Sequence, residues 1–192
     1  MKEELKMKNV TIFGKGNMGK VIAGRFTHAG NQVTLLGSKD AVGTLGDIVV
    51  LAVPYASVDV ILEANKAQLS GKILIDITNP VNFATMDDLL VPSDSSAAEV
   101  IAKKVPGAKV VKAFNTNFAS TLAGETATSV LLASDDAQAK AVVTAALEGS
   151  HLVVVDAGSL KRARELEALG FLQITLAIRE QITWMGGFGL VK

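Results

Sequence analysis

Gly14-Lys15-Gly16-Asn17-Met18-Gly19 is a G-x-G-x-x-G hexapeptide. It follows the apolar run Val10-Thr11-Ile12-Phe13 and precedes Val21, Ile22, Phe26 and Ala29 at helical spacing. Between a strand and a helix each glycine has its own task. Gly14 permits the tight turn, Gly16 lets the backbone approach a diphosphate, and Gly19 lets helix and strand pack closely. The helix start then offers unpaired N–H groups and the positive end of its dipole to phosphate. The hexapeptide therefore reads as a dinucleotide cradle, against the plainer alternative of a glycine-rich turn with no ligand.

The second strand decides which dinucleotide. An NAD site places Asp or Glu at its end to accept from the ribose 2′-hydroxyl. Here the end is Leu36-Gly37-Ser38-Lys39, with no carboxylate until Asp40. Ser38 can donate to a 2′-phosphate, Lys39 supplies charge, and Lys15 is within reach of the same group, so NADP is favoured. Asp40 reads as a turn residue. In an open α/β sheet the ligand lies beyond the carboxyl ends of the strands. Val53-Pro54-Tyr55, Thr78-Asn79-Pro80 and Phe114-Asn115-Thr116 should meet there, offering apolar walls, amides and hydroxyls. That inventory suits hydride transfer between stacked rings, which needs positioning more than proton chemistry. A ketone reductase would want a proton donor beside the new alkoxide.

The remaining candidates have plainer roles. His28 lies near a helix C-terminus, His151 precedes a strand, and Asp135 and Asp136 open a helix as caps. Asp76 reads as a structural hydrogen-bonding group. Arg162, Arg164, Glu165 and Glu167 read as a solvated or internally paired helix face, with Arg164 the alternative contact for an anionic acceptor tail. Tyr55 is placed either in the cleft or at its boundary. Trp184 and Phe188 form an acceptor wall, a dimer contact or core. No metal cluster is recognisable.

Composition sets outer limits. The 192 residues and 20.0 kDa suit one domain, or one domain with a small appendage. Nineteen basic and nineteen acidic side chains give a net charge of +0, which argues against a dedicated nucleic-acid binder. Hydrophobic residues at 49% and charged ones at 20% describe an ordinary globular chain. The absence of cysteine removes disulfides, zinc-thiolate sites and thiol nucleophiles. The longest apolar run, Ile48 to Tyr55, is too short to span a bilayer. The leader is charged through Lys2, Glu3, Glu4, Lys6 and Lys8, and no signal-peptide core follows it, which makes the cytoplasm the default expectation.

These residues require a particular scaffold. Strands are predicted at 10–13, 33–36, 47–53, 73–77, 110–114, 130–133 and 152–155. Helices are predicted after Gly19, ending at Gly30 as the C′ residue, and over 58–69, 97–104 and 135–147. A long helix runs from about Leu160 to near Met185, and 79–96 is irregular. Alternating strands and helices imply an α/β, Rossmann-type parallel sheet. One element of that plan cannot fit. Ser38 through Gly46 is nine residues, which span about 30 Å extended, against about 20 Å for one strand. The expectation is a taut direct crossover, helped by Gly43 and Gly46, and a sheet without its usual third strand and helix. Residues 8–125 are then the nucleotide domain and 126–192 a small C-terminal α/β subdomain ending in a long helix, on the acceptor and dimer side.

Several blocks together resemble the deazaflavin-dependent NADP oxidoreductases. They are Gly-Lys-Gly-Asn-Met-Gly at 14–19, Gly-Ser-Lys at 37–39, Ala-Val-Pro-Tyr at 52–55, Lys-Ala-Phe-Asn-Thr at 112–116, Asp-Ala-Gly-Ser-Leu at 156–160 and Ala163-Arg164-Glu165-Leu166-Glu167. The resemblance implies an NADP-dependent enzyme with a deazaflavin or flavin as planar co-substrate in a cleft between two domains, and a homodimer. It carries NADP contacts over to Lys15, Asn17, Met18, Ser38 and Lys39. Ala52, Val53 and Pro54 would line the cofactor's middle, and Asn115 and Thr116 would lie near the nicotinamide. Lys39 stands where the family commonly has arginine. The alternative function is a non-catalytic NADP(H)-binding module or sensor. A relative of pyrroline-5-carboxylate reductase is discounted, because only one long C-terminal helix is available.

Overall fold

The computed structural model describes residues 7–190; Lys2, Glu3, Glu4 and Lys6 of the charged leader lie outside the described residues. In chain order the elements are β1 (Asn9–Phe13), α1 (Asn17–His28), β2 (Gln32–Leu36), β3 (Ile48–Leu51), α2 (Val58–Leu69), β4 (Ile73–Asp76) and α3 (Ala97–Lys104). There follow β5 (Lys109–Lys112), α4 (Ala119–Ala123), β6 (Thr128–Ala133), α5 (Ala137–Ala146), β7 (Leu152–Gly158) and α6 (Ala163–Ile178). One seven-stranded sheet runs β2-β1-β3-β4-β5-β6-β7. Its neighbours are parallel except β5 and β6, which meet at the single antiparallel pair Lys112 and Ala133.

The apolar strands are buried on both faces, so their side chains divide by parity. Ile48 and Val50 join Ile22 and Phe26 of α1 and Val143 of α5 on one face. Val49 and Leu51 join Leu62 of α2 and Ile101 of α3 on the other. β2 is one of the two edge strands and β1 lies between it and β3, so no third strand or helix intervenes. The direct crossover is pinned along its length. Gly46 N–H donates to Thr11 Oγ1 at 2.9 Å, Leu45 N–H to Gln68 Oε1 at 3.1 Å, and Gln68 Nε2 to the Gly43 carbonyl at 3.3 Å. A Cβ on Gly46 would stand 2.3 Å from the Asn9 carbonyl oxygen. Gly46 is therefore needed because the crossover runs hard against the start of β1.

α1 ends as its sequence predicts. Gly30 has φ +86°, its N–H bonds to the Thr27 carbonyl, and the Asn31 N–H bonds to the Phe26 carbonyl. The final helix, expected to reach Met185, stops at Ile178. Glu180 takes φ +57°, its N–H donates to the Ala177 carbonyl at 3.0 Å, and the Gln181 N–H donates to the Leu176 carbonyl at 2.9 Å. This is the same helix-ending motif without the glycine that would announce it. β5 ends at Lys112 rather than Phe114, because Phe114 has φ +63° and leaves the ladder. Its ring is buried edge-on to Phe26, with centroids 6.4 Å apart. The five-residue α4 is an addition to the expected elements.

Candidate functional site

The glycines of the β1–α1 turn divide into two kinds. Gly14 has φ +116°, and a Cβ there would lie 2.0 Å from the Ala52 carbonyl oxygen. A Cβ on Gly19 would lie 1.9 Å from the Gly14 carbonyl oxygen. Both positions are filled by the protein's own backbone. Gly16 is exposed, and nothing lies within 4 Å of where its Cβ would be. It stands at the N-cap of α1, which receives no side-chain cap and has no acidic residue in its first turn. Lys15 and Asn17 are exposed and Met18 is half-buried beside them. An open main chain at the positive end of a helix suits an anionic bridge, so these residues fit a dinucleotide diphosphate.

The end of β2 folds against this turn. Gly14 N–H donates to the Leu36 carbonyl at 2.7 Å, and the Ala52 N–H to the Phe13 carbonyl at 2.8 Å, which puts Ala52, Val53 and Pro54 beside the glycines. Ser38 and Lys39 are exposed at the tip. Lys15 Nζ lies 2.5 Å from Asp40 Oδ2, which also accepts the Gly37 N–H at 2.8 Å. Asp40 is thus the turn residue expected of it. The Gly37 N–H first, and Lys15 next, hold its carboxyl below the usual range. The ion pair draws Lys15 to the corner occupied by Ser38 and Lys39.

At the far side of the strand ends, Asn79 and Asn115 face each other. Asn115 Nδ2 donates to Asn79 Oδ1 at 2.9 Å and to the Leu166 carbonyl at 2.8 Å, while Asn79 Nδ2 donates to the Asn115 carbonyl at 2.9 Å. Pro80 and Thr116 are buried next to them. Asn115 Oδ1 is buried and has no protein donor, as has Thr78 Oγ1. α6 lies directly on the pair, since a Cβ on Gly170 would be 2.6 Å from Asn79 Oδ1 and 2.9 Å from the Asn115 carbonyl oxygen.

Relatives of this chain are recognisable by sequence. The F420-dependent NADP reductase of Methanocaldococcus jannaschii is 32% identical over 151 residues, covering 75% of this chain and 67% of that protein. That of Methanothermobacter thermautotrophicus is 30% identical over 214 residues, covering 92% of this chain and 91% of that protein. The chain belongs to the F420-dependent NADP reductase family. The family model "NADP oxidoreductase coenzyme F420-dependent" matches residues 36–80, the segment holding the β2 tip, the crossover and the first two strand ends. The crystal structure of a protein assigned as an F420-dependent NADP reductase from Arthrobacter sp. FB24 superposes with a TM-score of 0.83 at 28% identity, covering 96% of this chain and all of that one. Members of the F420-dependent NADP reductase family are NADP-dependent oxidoreductases, and so is this chain.

Beneath the amide pair lies a charged cluster that the sequence reading dispersed. Lys112 Nζ is 2.8 Å from Asp76 Oδ2, 2.8 Å from Glu167 Oε1 and 2.5 Å from the Thr78 carbonyl oxygen, so each ammonium hydrogen has an acceptor. Asp76 is the structural group anticipated, and its Oδ1 accepts the Thr78 N–H at 2.8 Å. Glu167 is a correction, because it is fully buried instead of lying on a solvated face. Its Oε2 accepts the Ala97 N–H at 2.8 Å and its Oε1 the Ala98 N–H at 3.3 Å, at the start of α3. Burial pushes its carboxyl up from the usual range, against the pull of Lys112, and the Asp76 charge adds to the rise. A signal existed in the strands themselves: Ile73-Leu74-Ile75-Asp76 and Val110-Val111-Lys112 each carry a charge at the last apolar position. The two strands pair in a register that sets those charges side by side.

The Tyr55 phenol is half-buried and pushed up by burial first, then by the Asp59, Glu167 and Asp76 charges, which keeps it protonated. His28 and His151 pack against each other with centroids 5.3 Å apart. Asp136 caps α5 by accepting the Ala139 N–H at 2.7 Å, and Asp135 accepts the Leu160 N–H at 2.9 Å. Arg162 and Arg164 both pair with Glu165 at the surface. Trp184 lies 5.0 Å from Phe118, ring to ring. A groove of about 660 Å³ between α5 and β7, lined by Lys140, Thr144, Glu148 and Asp156, belongs to the sheet edge opposite β2 and holds none of the candidate residues. Among the described residues no helix is long and apolar enough to cross a membrane.

Proposed function

We propose that the chain transfers hydride between NADP(H) and a deazaflavin of the F420 class. The diphosphate lies over Gly14, Lys15, Gly16, Asn17, Met18 and Gly19, and the 2′-phosphate is held by Lys15, Ser38 and Lys39. Ala52, Val53 and Pro54 line the middle of the cofactor, and Asn79, Pro80, Asn115 and Thr116 border the nicotinamide. The observation that carries this reading is the contrast within the turn: Gly14 and Gly19 are closed by backbone, whereas Gly16 alone faces open space at an uncapped helix start. When bound, NADPH supplies the hydride. The chain orients the two rings and excludes water, because the platform offers amides and apolar walls in place of a titrating acid. The relatives' names, F420-dependent NADP reductases, support the deazaflavin as acceptor. The same reading places residues 126–192 on the acceptor side and takes the enzyme to be a cytoplasmic homodimer.

Titration with NADPH and NADH, followed by turnover with deazaflavin and flavin acceptors, tests the proposal. The expected result is NADPH preference and acceptor-dependent loss of NADPH absorbance. Lys39→Glu should weaken NADPH at least about tenfold while leaving NADH within about twofold. Equal effects would remove the 2′-phosphate assignment. Tight NADPH binding without turnover on any acceptor would replace the enzyme with a nucleotide-binding module.

A further inference from the structure

A charged side chain at the centre of a buried helix face needs a reason, because an apolar residue would pack there at lower cost. On α6 the buried residues are Ala163, Leu166, Glu167, Gly170, Gln173 and Ala177. Glu167 is the one carboxylate among them. We propose that Glu167 is a positioning residue for hydride transfer: clamped between Lys112 and the start of α3, it fixes α6 so that Leu166 and Gly170 hold the Asn79–Asn115 amide pair in one orientation. The inference rests on the reading above that this pair borders the nicotinamide.

One ammonium group ties together all three supports of the pair. Lys112 bonds the carbonyl of Thr78, the residue before Asn79. It bonds Glu167, the residue after Leu166, whose carbonyl receives Asn115 Nδ2. Lys112 itself begins the Lys-Ala-Phe-Asn segment that swings through the left-handed Phe114 to Asn115. Gly170 stands one turn beyond Glu167, and a Cβ there would meet the Asn79 side-chain amide and the Asn115 main-chain carbonyl. The helix cannot slide or rotate without moving the Leu166 carbonyl, and hence Asn115. Dispersion packing would tolerate such a slide. Directed bonds from Glu167 to Lys112, Ala97 and Ala98 do not. Asn115 spends both Nδ2 hydrogens on Asn79 and Leu166, so its orientation is set wholly by these partners.

The test uses the full chain with NADPH and F420. Glu167→Gln keeps the size but cannot serve Lys112 and the Ala97 N–H together. It should lower kcat about tenfold or more with NADPH Kd kept within about twofold. The side-chain amide NMR signals of Asn79 and Asn115 should move. Gly170→Ala keeps the folded helix, since alanine is the better helix former, but drives a methyl into the same pair. It should show the same split, and in the double variant the two effects on kcat should fall short of their product. Wild-type kcat in E167Q, unmoved amide signals, or fully multiplicative effects would each overturn the proposal. A wild-type protein that binds no NADPH or reduces no deazaflavin overturns the functional reading, and with it the hydride-transfer role. The amide signals then separately decide whether Glu167 holds the pair.

Discussion

Two neighbouring glycines should respond to the same methyl group in opposite ways. Gly14→Ala places a Cβ 2.0 Å from the Ala52 carbonyl oxygen at φ +116°. It should cost about 3 kcal/mol or more of stability, read as a lower denaturant midpoint. Gly16→Ala meets nothing within 4 Å. Stability should stay within about 0.5 kcal/mol, while NADPH affinity drops at least about tenfold because the methyl occupies the diphosphate's approach. If Gly16→Ala leaves NADPH affinity intact, the cradle is not where the diphosphate sits. The sequence already marks Gly14 and Gly19 as glycines that the turn and its packing require, because that depends on local chain geometry. It did not reveal the role of Glu167, whose partners lie on β5 and α3 and come near only when the sheet forms. From its neighbours Arg164 and Glu165, an exposed ion pair, Glu167 looks like one more surface charge.

Elements announced by periodicity and punctuation are those the chain forms as read. α2 and α3 begin and end at the expected residues, and β1, β2 and β6 start within two residues of their expected positions. Two of the departures share a cause: a backbone turn made by a residue that does not advertise it. Phe114 ends β5 and Glu180 ends α6, both at positive φ without glycine. The missing third strand, by contrast, follows from chain length alone and is borne out by β1 lying between β2 and β3. The crossover also makes Gly46 a structural requirement. Gly46→Ala sets a Cβ 2.3 Å from the Asn9 carbonyl oxygen and 3.0 Å from the Val10 nitrogen. It should destabilise the fold by about 2–3 kcal/mol, measured by urea unfolding, with NADPH affinity of the folded fraction unchanged. A neutral result would mean that the start of β1 yields easily and the crossover is slack.

Where α3, α6, β4 and β5 meet, two buried carboxylates, Asp76 and Glu167, share the single ammonium of Lys112. The consequence for stability has a definite sign. Glu167 is raised above its ordinary value, so between that value and the raised one the native state holds a proton that the unfolded chain has released. Stability from this group therefore falls as pH rises through that window. Glu167→Gln cannot release the proton, so its unfolding free energy minus that of wild type should climb across the same window. A pH-independent difference would show that Lys112 fully offsets the burial of Glu167. At the surface the exposed Asp156, held down by Lys140 and the Gly158 N–H, works in the opposite direction as pH falls.

At one edge the sheet finishes at β2, and among the described residues no further strand pairs beyond it. On the proposed reading, the adenosine half of the nucleotide rests at this margin, one flank of which no further strand covers. Grip must then come from the phosphates. Selectivity would lie in charge rather than in the shape of the base, and nucleotides enlarged on the purine would be accepted as readily as the natural one.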